Sequence, residues 1–317
     1  MNQIFALLVA GLLACPLAQA QMQTCAVAGT NNEFLGIQTV RLWPGDAPQA
    51  NGSACKDIPT LTIMEPHSGN GNGSAVIIFP GGSYVNLAAN LEGRQVADWF
   101  TARGFHAFIL SYRLTSSGYV LPIPLLDARR AIQTVRGRAQ DYHIDPNRIV
   151  VVGFSAGGHL AALSGTQFIP GKPDAEDPIE RSSSRPNFLV LGYPWIGAIS
   201  SDTSHLSYCK IFNLMDRCEE LRVAYSPDLF VTKDTPPTFW YHTFDDQTVP
   251  VEQGLRFYEA LVKAGVPAEA HIFASGPHGT GLGKGDEALD QWPNLLEIWL
   301  RKQGLLTVEN PVPGPKP

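Results

Sequence analysis

The segment from Val150 to Ala161 constrains the fold more than any other part of the sequence. An apolar run, Val150 to Val152, leads directly into Gly153-Phe154-Ser155-Ala156-Gly157, and a pattern typical of a helix follows. Gly-x-Ser-x-Gly by itself is weak evidence in a chain with 30 glycines. Between a buried strand and a helix, however, it predicts a tight turn that exposes the serine hydroxyl at the edge of a parallel sheet. Ser155 is therefore the candidate nucleophile.

Apolar runs and helical patterns alternate along most of the chain, which is typical of a mainly parallel α/β sheet flanked by helices. The continuous apolar character of several runs indicates strands that are covered on both faces. The segment 195–230 breaks the alternation, and we interpret it as an insertion over the active site. Strands are predicted over 59–64, 75–79, 106–112, 149–152, 188–192, 238–241 and 268–273, and helices over 92–103, 127–141 and 251–264.

Two loops after later predicted strands carry an acid and a base in the order that such a fold requires after the serine. Asp245 and Asp246 follow the strand 238–241, and His278 follows the strand 268–273. Either feature alone would be read as an ordinary surface turn. Together, on the correct strand ends, they predict that His278 and one of the two aspartates serve Ser155; the residues alone leave the choice of aspartate open.

The loop after the strand 75–79 is the candidate oxyanion hole. Its glycines let the backbone approach a carbonyl closely, so that N–H groups of Gly82 or Ser83 would act together with that of Ala156. Three aromatic residues are candidate substrate contacts, with core packing as the alternative for each: Tyr84, Trp195 and Trp240.

The first twenty residues predict a signal peptide. An unbroken apolar run from Ile4 to Ala14 is too short to span a bilayer, and Ala18-Gln19-Ala20 offers a small-x-small cleavage site. A lipoprotein anchored at Cys15 and a buried N-terminal helix are the alternatives. After cleavage, we expect a single catalytic domain over 21–310 and a disordered, proline-rich tail over 311–317.

The cysteines agree with export. With Cys15 removed, four of the five cysteines remain, and an even number in an exported protein predicts two disulfides. We favour Cys25–Cys55 and Cys209–Cys218, since each pair closes a short loop. Metal ligation by His205 together with Cys209 and Cys218 is the alternative, although this spacing matches no zinc pattern.

Charge and hydropathy limit the partners. A formal net charge of −6 provides no basic stripe, so the sequence does not indicate nucleic-acid binding. The body of the chain has no 18-residue apolar run, so no membrane span is predicted.

Several motifs in this order resemble those of secreted bacterial α/β-hydrolases of the acetyl esterase or acetylxylan esterase type. The resemblance covers about residues 75–283, and Ser83 stands where a third glycine is common. The matching motifs are Pro80-Gly81-Gly82-Ser83-Tyr84, Leu91-Glu92-Gly93, Gly153-Phe154-Ser155-Ala156-Gly157-Gly158-His159, Gly192-Tyr193-Pro194 and Gly276-Pro277-His278-Gly279.

This resemblance implies a carboxylic ester hydrolase that uses no metal or cofactor and deacetylates plant carbohydrate. It also implies Asp246 as the acid, because the family pattern is Asp-x-x-Val-Pro. Feruloyl esterase and general short-chain carboxylesterase stay open as alternatives. A serine peptidase and a non-catalytic carbohydrate-binding protein are further alternatives; the latter would normally have lost a triad residue, and none is missing here.

Overall fold

A computed structural model describes residues 37–197, 209, 216 and 218–306. In this part of the chain one eight-stranded sheet has the order β1-β2-β4-β3-β5-β6-β7-β8. β1 pairs antiparallel with β2, and β2 pairs antiparallel with β4. The six neighbouring strands β4, β3, β5, β6, β7 and β8 all run parallel. The strands are β1 Ile37–Arg41, β2 Thr60–Met64, β3 Ala75–Phe79, β4 His106–Ser111, β5 Ile149–Phe154, β6 Phe188–Gly192, β7 Thr238–Thr243 and β8 Ala268–Phe273.

Helices cover both faces of this sheet, which confirms the predicted fold class. Helices α2, α3 and α5 pack on one face, where Ile77 and Val151 point, while α1 and α6 pack on the other, where Val76 and Val150 point. Successive strand residues point to opposite faces, so the apolar runs feed two cores. The helices are α1 Gln95–Thr101, α2 Ile123–Gly137, α3 Ser155–Thr166, α4 Cys218–Ala224, α5 Glu252–Lys263 and α6 Trp292–Lys302.

The structure departs from the sequence prediction in a few elements. The strand β1 and the helix α6 were not predicted. β1 is an edge strand of five residues that depends on antiparallel pairing with β2. The predicted helix 92–103 instead begins with a π-helical turn over Ala89–Arg94 before α1. Helix α2 begins at Ile123, ahead of the predicted start at 127, because Pro124 fits the first turn of a helix.

Some predicted segments lie outside the described residues: the signal peptide 1–20, the tail 311–317 and half of the insertion 195–230. The described end of the insertion contains α4 and a short 3-10 helix over Pro227–Phe230. Within the described ranges, the helices are all too short or too polar to cross a membrane.

A buried ion pair ties the end of β4 to α2. The Arg113 guanidinium donates to both carboxylate oxygens of Asp127, with distances of 2.6 to 3.1 Å. The backbone N–H of Arg113 donates to the same carboxylate at 2.9 Å, and a further guanidinium nitrogen donates to the carbonyl of Pro48 at 2.7 Å. Neither side chain is more than 1% exposed, so each charge depends on the other.

We therefore predict that Arg113→Leu destabilises the fold by about 3–5 kcal/mol, because it leaves the Asp127 charge buried without a partner. Urea unfolding followed by circular dichroism measures the change. The double variant Arg113→Leu/Asp127→Leu, which removes both charges, should recover much of the loss. A single variant as stable as the wild type would contradict this account of the pair.

Candidate active site

Ser155 sits in a strained turn between β5 and α3. Its φ angle is 52°, in the left-handed region that serine rarely adopts. A Cβ atom built on Gly157 would lie 2.0 Å from the carbonyl oxygen of Phe79, and one built on Gly153 would lie 2.2 Å from the carbonyl oxygen of Gly157. Neither position can accept a side chain, so packing requires both glycines of the motif.

The structure brings His278 between Ser155 and Asp246. The Nε2 atom of His278 is 2.8 Å from Oγ of Ser155, and its Nδ1 atom is 2.6 Å from Oδ2 of Asp246. A carboxylate can only accept, so Nδ1 carries the hydrogen and donates it to Asp246. The Nε2 atom is then free of hydrogen and can accept the proton of the serine hydroxyl. This is the arrangement of a nucleophile, a general base and an orienting acid.

Asp245 and Asp246 have different partners. Asp246 is buried, and its Oδ1 atom accepts hydrogen bonds from the backbone N–H groups of Thr248 and Val249 at 2.8 and 2.9 Å. Asp245 is exposed, and its Oδ1 atom accepts from the N–H of Gly276 at 2.8 Å. Asp245 thus fastens the loop that carries His278, while Asp246 touches the imidazole itself.

The surroundings of Asp246 favour its charged form. Burial by itself would raise the pKa of Asp246, but hydrogen bonds from His242, His278 and the N–H of Val249 outweigh it and hold the pKa below its usual value. The Nε2 atom of His242 is 3.4 Å from Oδ2 of Asp246. These donors therefore favour the anionic form of Asp246.

The glycine-rich loop after β3 lies directly against the turn at Ser155. A Cβ atom on Gly81 would be 2.9 Å from Cβ of Ser155, and one on Gly82 would be 2.2 Å from Oδ1 of Asn86. Gly82, Ser83 and Tyr84 all have positive φ angles, of 127°, 56° and 60°. The N–H of Gly81 donates to Oε2 of Glu92 at 2.7 Å and so points away from a substrate. The N–H groups of Gly82 and Ser83 stay the candidate oxyanion donors, together with that of Ala156.

The three candidate substrate contacts occupy different places. Trp240 is 2% exposed and packs beside Tyr258 of α5, because alternation along β7 turns it away from the neighbouring Tyr241 and toward that helix. Tyr84 is 1% exposed. Neither side chain is open to a ligand. Of the three, only Trp195 is partly exposed. Its backbone N–H donates to the carbonyl of Ser155 at 3.1 Å, which places it beside the candidate nucleophile.

Tyr84 takes part in a buried chain through His159, one helical turn beyond Ser155. The Nε2 atom of His159 lies 2.7 Å from the carbonyl oxygen of Tyr225 and must therefore carry its hydrogen. The Nδ1 atom then accepts the hydroxyl hydrogen of Tyr84 at 2.8 Å. Burial lowers the pKa of His159 to about 4, so it is neutral at neutral pH. The chain links the glycine-rich loop, α3 and the segment after α4.

Glu92 and Tyr193 are the site residues that sequence reasoning missed. Glu92 is 3% exposed, and besides Gly81 it accepts the hydroxyl hydrogen of Tyr193 on Oε1 at 2.8 Å. Burial raises the pKa of Glu92, although these hydrogen bonds oppose the rise. Both residues belong to motifs of the resemblance, and that was their only signal in the sequence, since neither follows a recognisable catalytic pattern.

A disulfide joins Cys209 to Cys218 with a Cα–Cα distance of 5.5 Å, the pairing favoured from the sequence. This bond uses both sulfurs that the alternative metal set would need, and His205 lies outside the described residues. Cys55 is also disulfide-bonded. Its predicted partner, Cys25, lies outside the described residues as well.

Comparison with known proteins places this geometry in context. The family profile described as BD-FAE matches residues 61–189, and that of the prolyl oligopeptidase family matches residues 202–304. An acetylxylan esterase of Xylanibacter ruminicola is 32% identical over 251 residues, which are 78% of this chain and 47% of that protein. An endo-1,4-beta-xylanase B of Butyrivibrio fibrisolvens is 31% identical over 228 residues, 71% of this chain and 35% of that protein. The chain thus spans less than half the length of either relative.

A solved structure matches over nearly its whole length. The acetyl ester-xyloside bifunctional hydrolase of Caldicellulosiruptor lactoaceticus is 39% identical, with a TM-score of 0.78 over 85% of this chain and 97% of that one. Identity of this level over 97% of the solved chain, on the same fold, establishes common descent. The chain belongs to the α/β-hydrolase family of carboxylic ester hydrolases that includes the acetylxylan esterases.

Proposed function

We propose that this protein is a serine esterase that removes acetyl groups from plant polysaccharide or oligosaccharide esters. The observation that carries the proposal is the position of His278, within hydrogen-bond distance of both Ser155 Oγ and the Asp246 carboxylate. The adjoining glycine-rich loop supports it, because it offers backbone donors beside the serine. A binding protein without activity would have no need for this combination.

In the proposed acylation step, Oγ of Ser155 attacks the ester carbonyl carbon while Nε2 of His278 takes the hydroxyl proton. The carbonyl oxygen becomes an oxyanion, which the N–H groups of Ala156 and of Gly82 or Ser83 would stabilise. Asp246 stabilises the imidazolium through Nδ1–H. Collapse of the intermediate breaks the bond to the alcohol oxygen, and His278 returns the proton to the departing alcohol.

Deacylation repeats these steps with water as the nucleophile. His278 takes a proton from water as its oxygen attacks the acyl carbon, and the same backbone donors receive the second oxyanion. The bond to Oγ of Ser155 then breaks, the proton passes from His278 to the serine, and the carboxylic acid leaves. The proposed cycle requires no metal or cofactor.

The substrate class rests on the relatives, whose names specify an acetylxylan esterase and an acetyl ester-xyloside hydrolase. The alternatives are feruloyl esterase and general short-chain carboxylesterase, which would use the same residues with a wider acyl pocket. A serine peptidase is the second candidate class, favoured by the match of the prolyl oligopeptidase family to residues 202–304. Since the region includes an acid and a histidine that both reactions use, that match does not separate the two classes.

Export is also part of the proposal. Disulfides persist mainly in oxidising compartments, and the described residues include the Cys209–Cys218 bond. Together with the apolar segment and small-residue site over 1–20, this supports a secreted or periplasmic protein.

We predict that Ser155→Ala lowers ester hydrolysis by about 10⁴- to 10⁶-fold without lowering the melting temperature. The assay is release of p-nitrophenol from p-nitrophenyl acetate by purified protein. Ser164→Ala is the matched control: it removes another buried hydroxyl from α3, one that donates to the carbonyl of Leu160, and should keep its activity. Retained activity in Ser155→Ala would sink the assignment of the nucleophile.

The two aspartates provide a second test. Asp246→Asn should lose about 10⁴-fold in kcat, because an amide cannot compensate the imidazolium. Asp245→Asn should lower kcat by less than about tenfold, because the amide oxygen can still accept the N–H of Gly276. Even complete loss of this one hydrogen bond would lower kcat by only about tenfold. Steady-state kinetics of both variants decide the question. A larger loss in Asp245→Asn would transfer the acid role to that residue.

We further predict that acetyl esters are preferred over longer or aromatic acyl groups. A closed acyl pocket would change kcat/KM by about 10–200-fold per methylene, whereas an open groove gives a shallow profile. The measurement is kcat/KM for acetate, butyrate and ferulate esters of one leaving group. A ferulate rate above the acetate rate would favour the feruloyl esterase alternative, with half-buried Trp195 the first residue to mutate.

A further inference from the structure

Glu92 lies beneath the candidate active site and joins two of its loops. One carboxylate oxygen accepts the N–H of Gly81, at the start of the loop that carries the oxyanion donors, at 2.7 Å. The other accepts the hydroxyl hydrogen of Tyr193 at 2.8 Å. Tyr193 directly follows β6, which lies in the sheet between β5, the strand before Ser155, and β7, the strand before Asp246.

Tyr193 carries this connection to His278. Its hydroxyl oxygen accepts the N–H of Gly281 at 2.9 Å, three residues beyond His278. Its ring meets the imidazole edge to face, with the ring centres 4.9 Å apart. The backbone of Tyr193 has a φ angle of 36° and is held by a hydrogen bond from its N–H to the carbonyl of Tyr241. A continuous buried path therefore runs from Gly81 through Glu92 and Tyr193 to the loop of His278.

We propose that the Glu92 carboxylate is a positioning residue that holds the oxyanion loop and the His278 loop in one productive geometry. The inference rests on the proposed esterase function and extends it. Glu92 does not touch the substrate or the reacting atoms. Its effect passes through the Gly81 peptide on one side and through the Tyr193 hydroxyl on the other.

The charged form of Glu92 is the one that fits these contacts. Both partners donate, and a carboxylate has an acceptor for each. A proton on either oxygen would face the N–H of Gly81 or compete with the hydroxyl of Tyr193. An amide would have the same defect, since one of its two ends donates. With its oxygen on the N–H of Gly81, glutamine would turn its NH2 group toward the Tyr193 hydroxyl, whose own hydrogen would then lose the acceptor that the carboxylate provides, so the link to the His278 loop is weakened.

Stability alone does not explain a glutamate here. Because burial raises the pKa of Glu92, the folded protein binds this proton more tightly than the unfolded chain does. The free energy of unfolding therefore falls as the pH rises from the usual pKa of a glutamate to the raised pKa of Glu92, and it stays lower above that pH than with a protonated Glu92. The charged or titratable groups that face it are His278 and the hydroxyls of Tyr112, Tyr193 and Tyr241, and burial raises the pKa of each of these tyrosines, so they remain neutral. A buried glutamate that lowers the stability of the fold and contacts two loops of the candidate site is better explained by a role in positioning those loops.

The first test is Glu92→Gln, assayed with p-nitrophenyl acetate. We expect kcat to fall by a factor on the order of 10², as for a catalytic group displaced by about an ångström, with little change in KM and no fall in melting temperature. The ratio of wild-type to variant kcat should shrink as the pH falls through the Glu92 titration, because the wild type then loses the carboxylate as well. Glu180→Gln is the matched control; this half-exposed side chain pairs with Lys172 at 3.7 Å, and its loss should leave kcat unchanged.

A double-mutant cycle with Tyr193→Phe tests the path itself. If both residues act through one hydrogen bond, the losses in Glu92→Gln and Tyr193→Phe will be far from additive, whereas Glu180→Gln and Tyr193→Phe will add. Additive losses for Glu92 and Tyr193 would overturn the coupling. A loss of activity that in both single variants matches a loss of folded protein would make Glu92 a structural residue and also overturn the proposal.

Labelling with a fluorophosphonate separates this inference from the proposed function. The reagent reacts with an activated serine whatever the natural substrate, so labelling should be slowed in Glu92→Gln and abolished in Ser155→Ala. A wild-type protein that is labelled but hydrolyses no ester would refute the esterase proposal and leave the positioning role open to confirmation by the labelling rates. Equal labelling and equal hydrolysis by wild type and Glu92→Gln would refute the positioning role alone.

Discussion

The close approach of two neighbouring parallel strands controls the geometry of the site. β3 and β5 pair in a register that sets Phe79 opposite Gly153, and both chains then turn sharply at the same edge of the sheet. A Cβ atom on Gly157 would lie 2.0 Å from the Phe79 carbonyl oxygen, so the two turns touch through bare backbone. This contact holds Ser155 at a φ of 52° and keeps the glycine-rich loop within reach of its side chain. The candidate nucleophile and the candidate oxyanion donors are therefore placed by one packing constraint.

Two buried carboxylates lie near His278, Asp246 in direct contact with the imidazole and Glu92 behind Tyr193, and their surroundings move their pKa values in opposite directions. Burial raises both, but Asp246 is surrounded by two histidines and backbone N–H donors that reverse the effect, whereas Glu92 is not. Asp246 is held as the anion that a neighbouring imidazolium requires. Among the described residues, the direct donors to Glu92 are an N–H and a phenol, and they do not offset the effect of burial on its pKa. The opposite direction of the shift at Asp246 follows from its local donors, which outweigh the effect of burial there and do not at Glu92.

The described end of the insertion is hydrogen-bonded, through His159, to the glycine-rich loop of the candidate active site. The carbonyl of Tyr225 accepts from His159, which in turn accepts from Tyr84 of the glycine-rich loop, and the Cys209–Cys218 bond fastens the start of α4. The imidazole of His159 also contacts the indole of Trp195, with the ring centres 4.3 Å apart and the ring planes tilted by 57°. These contacts connect the segment after α4 to the loop that would stabilise the oxyanion. A side chain that the sequence suggested for substrate contact, Tyr84, acts instead as a link in this buried chain.

Local patterns in the sequence predicted the strands of the mainly parallel sheet and the turn at Ser155, since each depends on residues close together in the chain. The candidate acid and histidine were predicted from their positions after later strands, although they lie far from Ser155 in the sequence. The choice of Asp246 over Asp245 needed the family resemblance, and the hydrogen bonds of the folded protein separate their surroundings. The orientation of Trp240 could not be read from the sequence, because a continuous apolar strand has no alternation that marks which face a residue occupies. The partners of Glu92 were hidden for a related reason: its contacts with Gly81 and Tyr193 lie 11 and 101 residues away in sequence. Only tertiary packing, which brings the ends of separate strands to one edge, decides which of these polar groups meet.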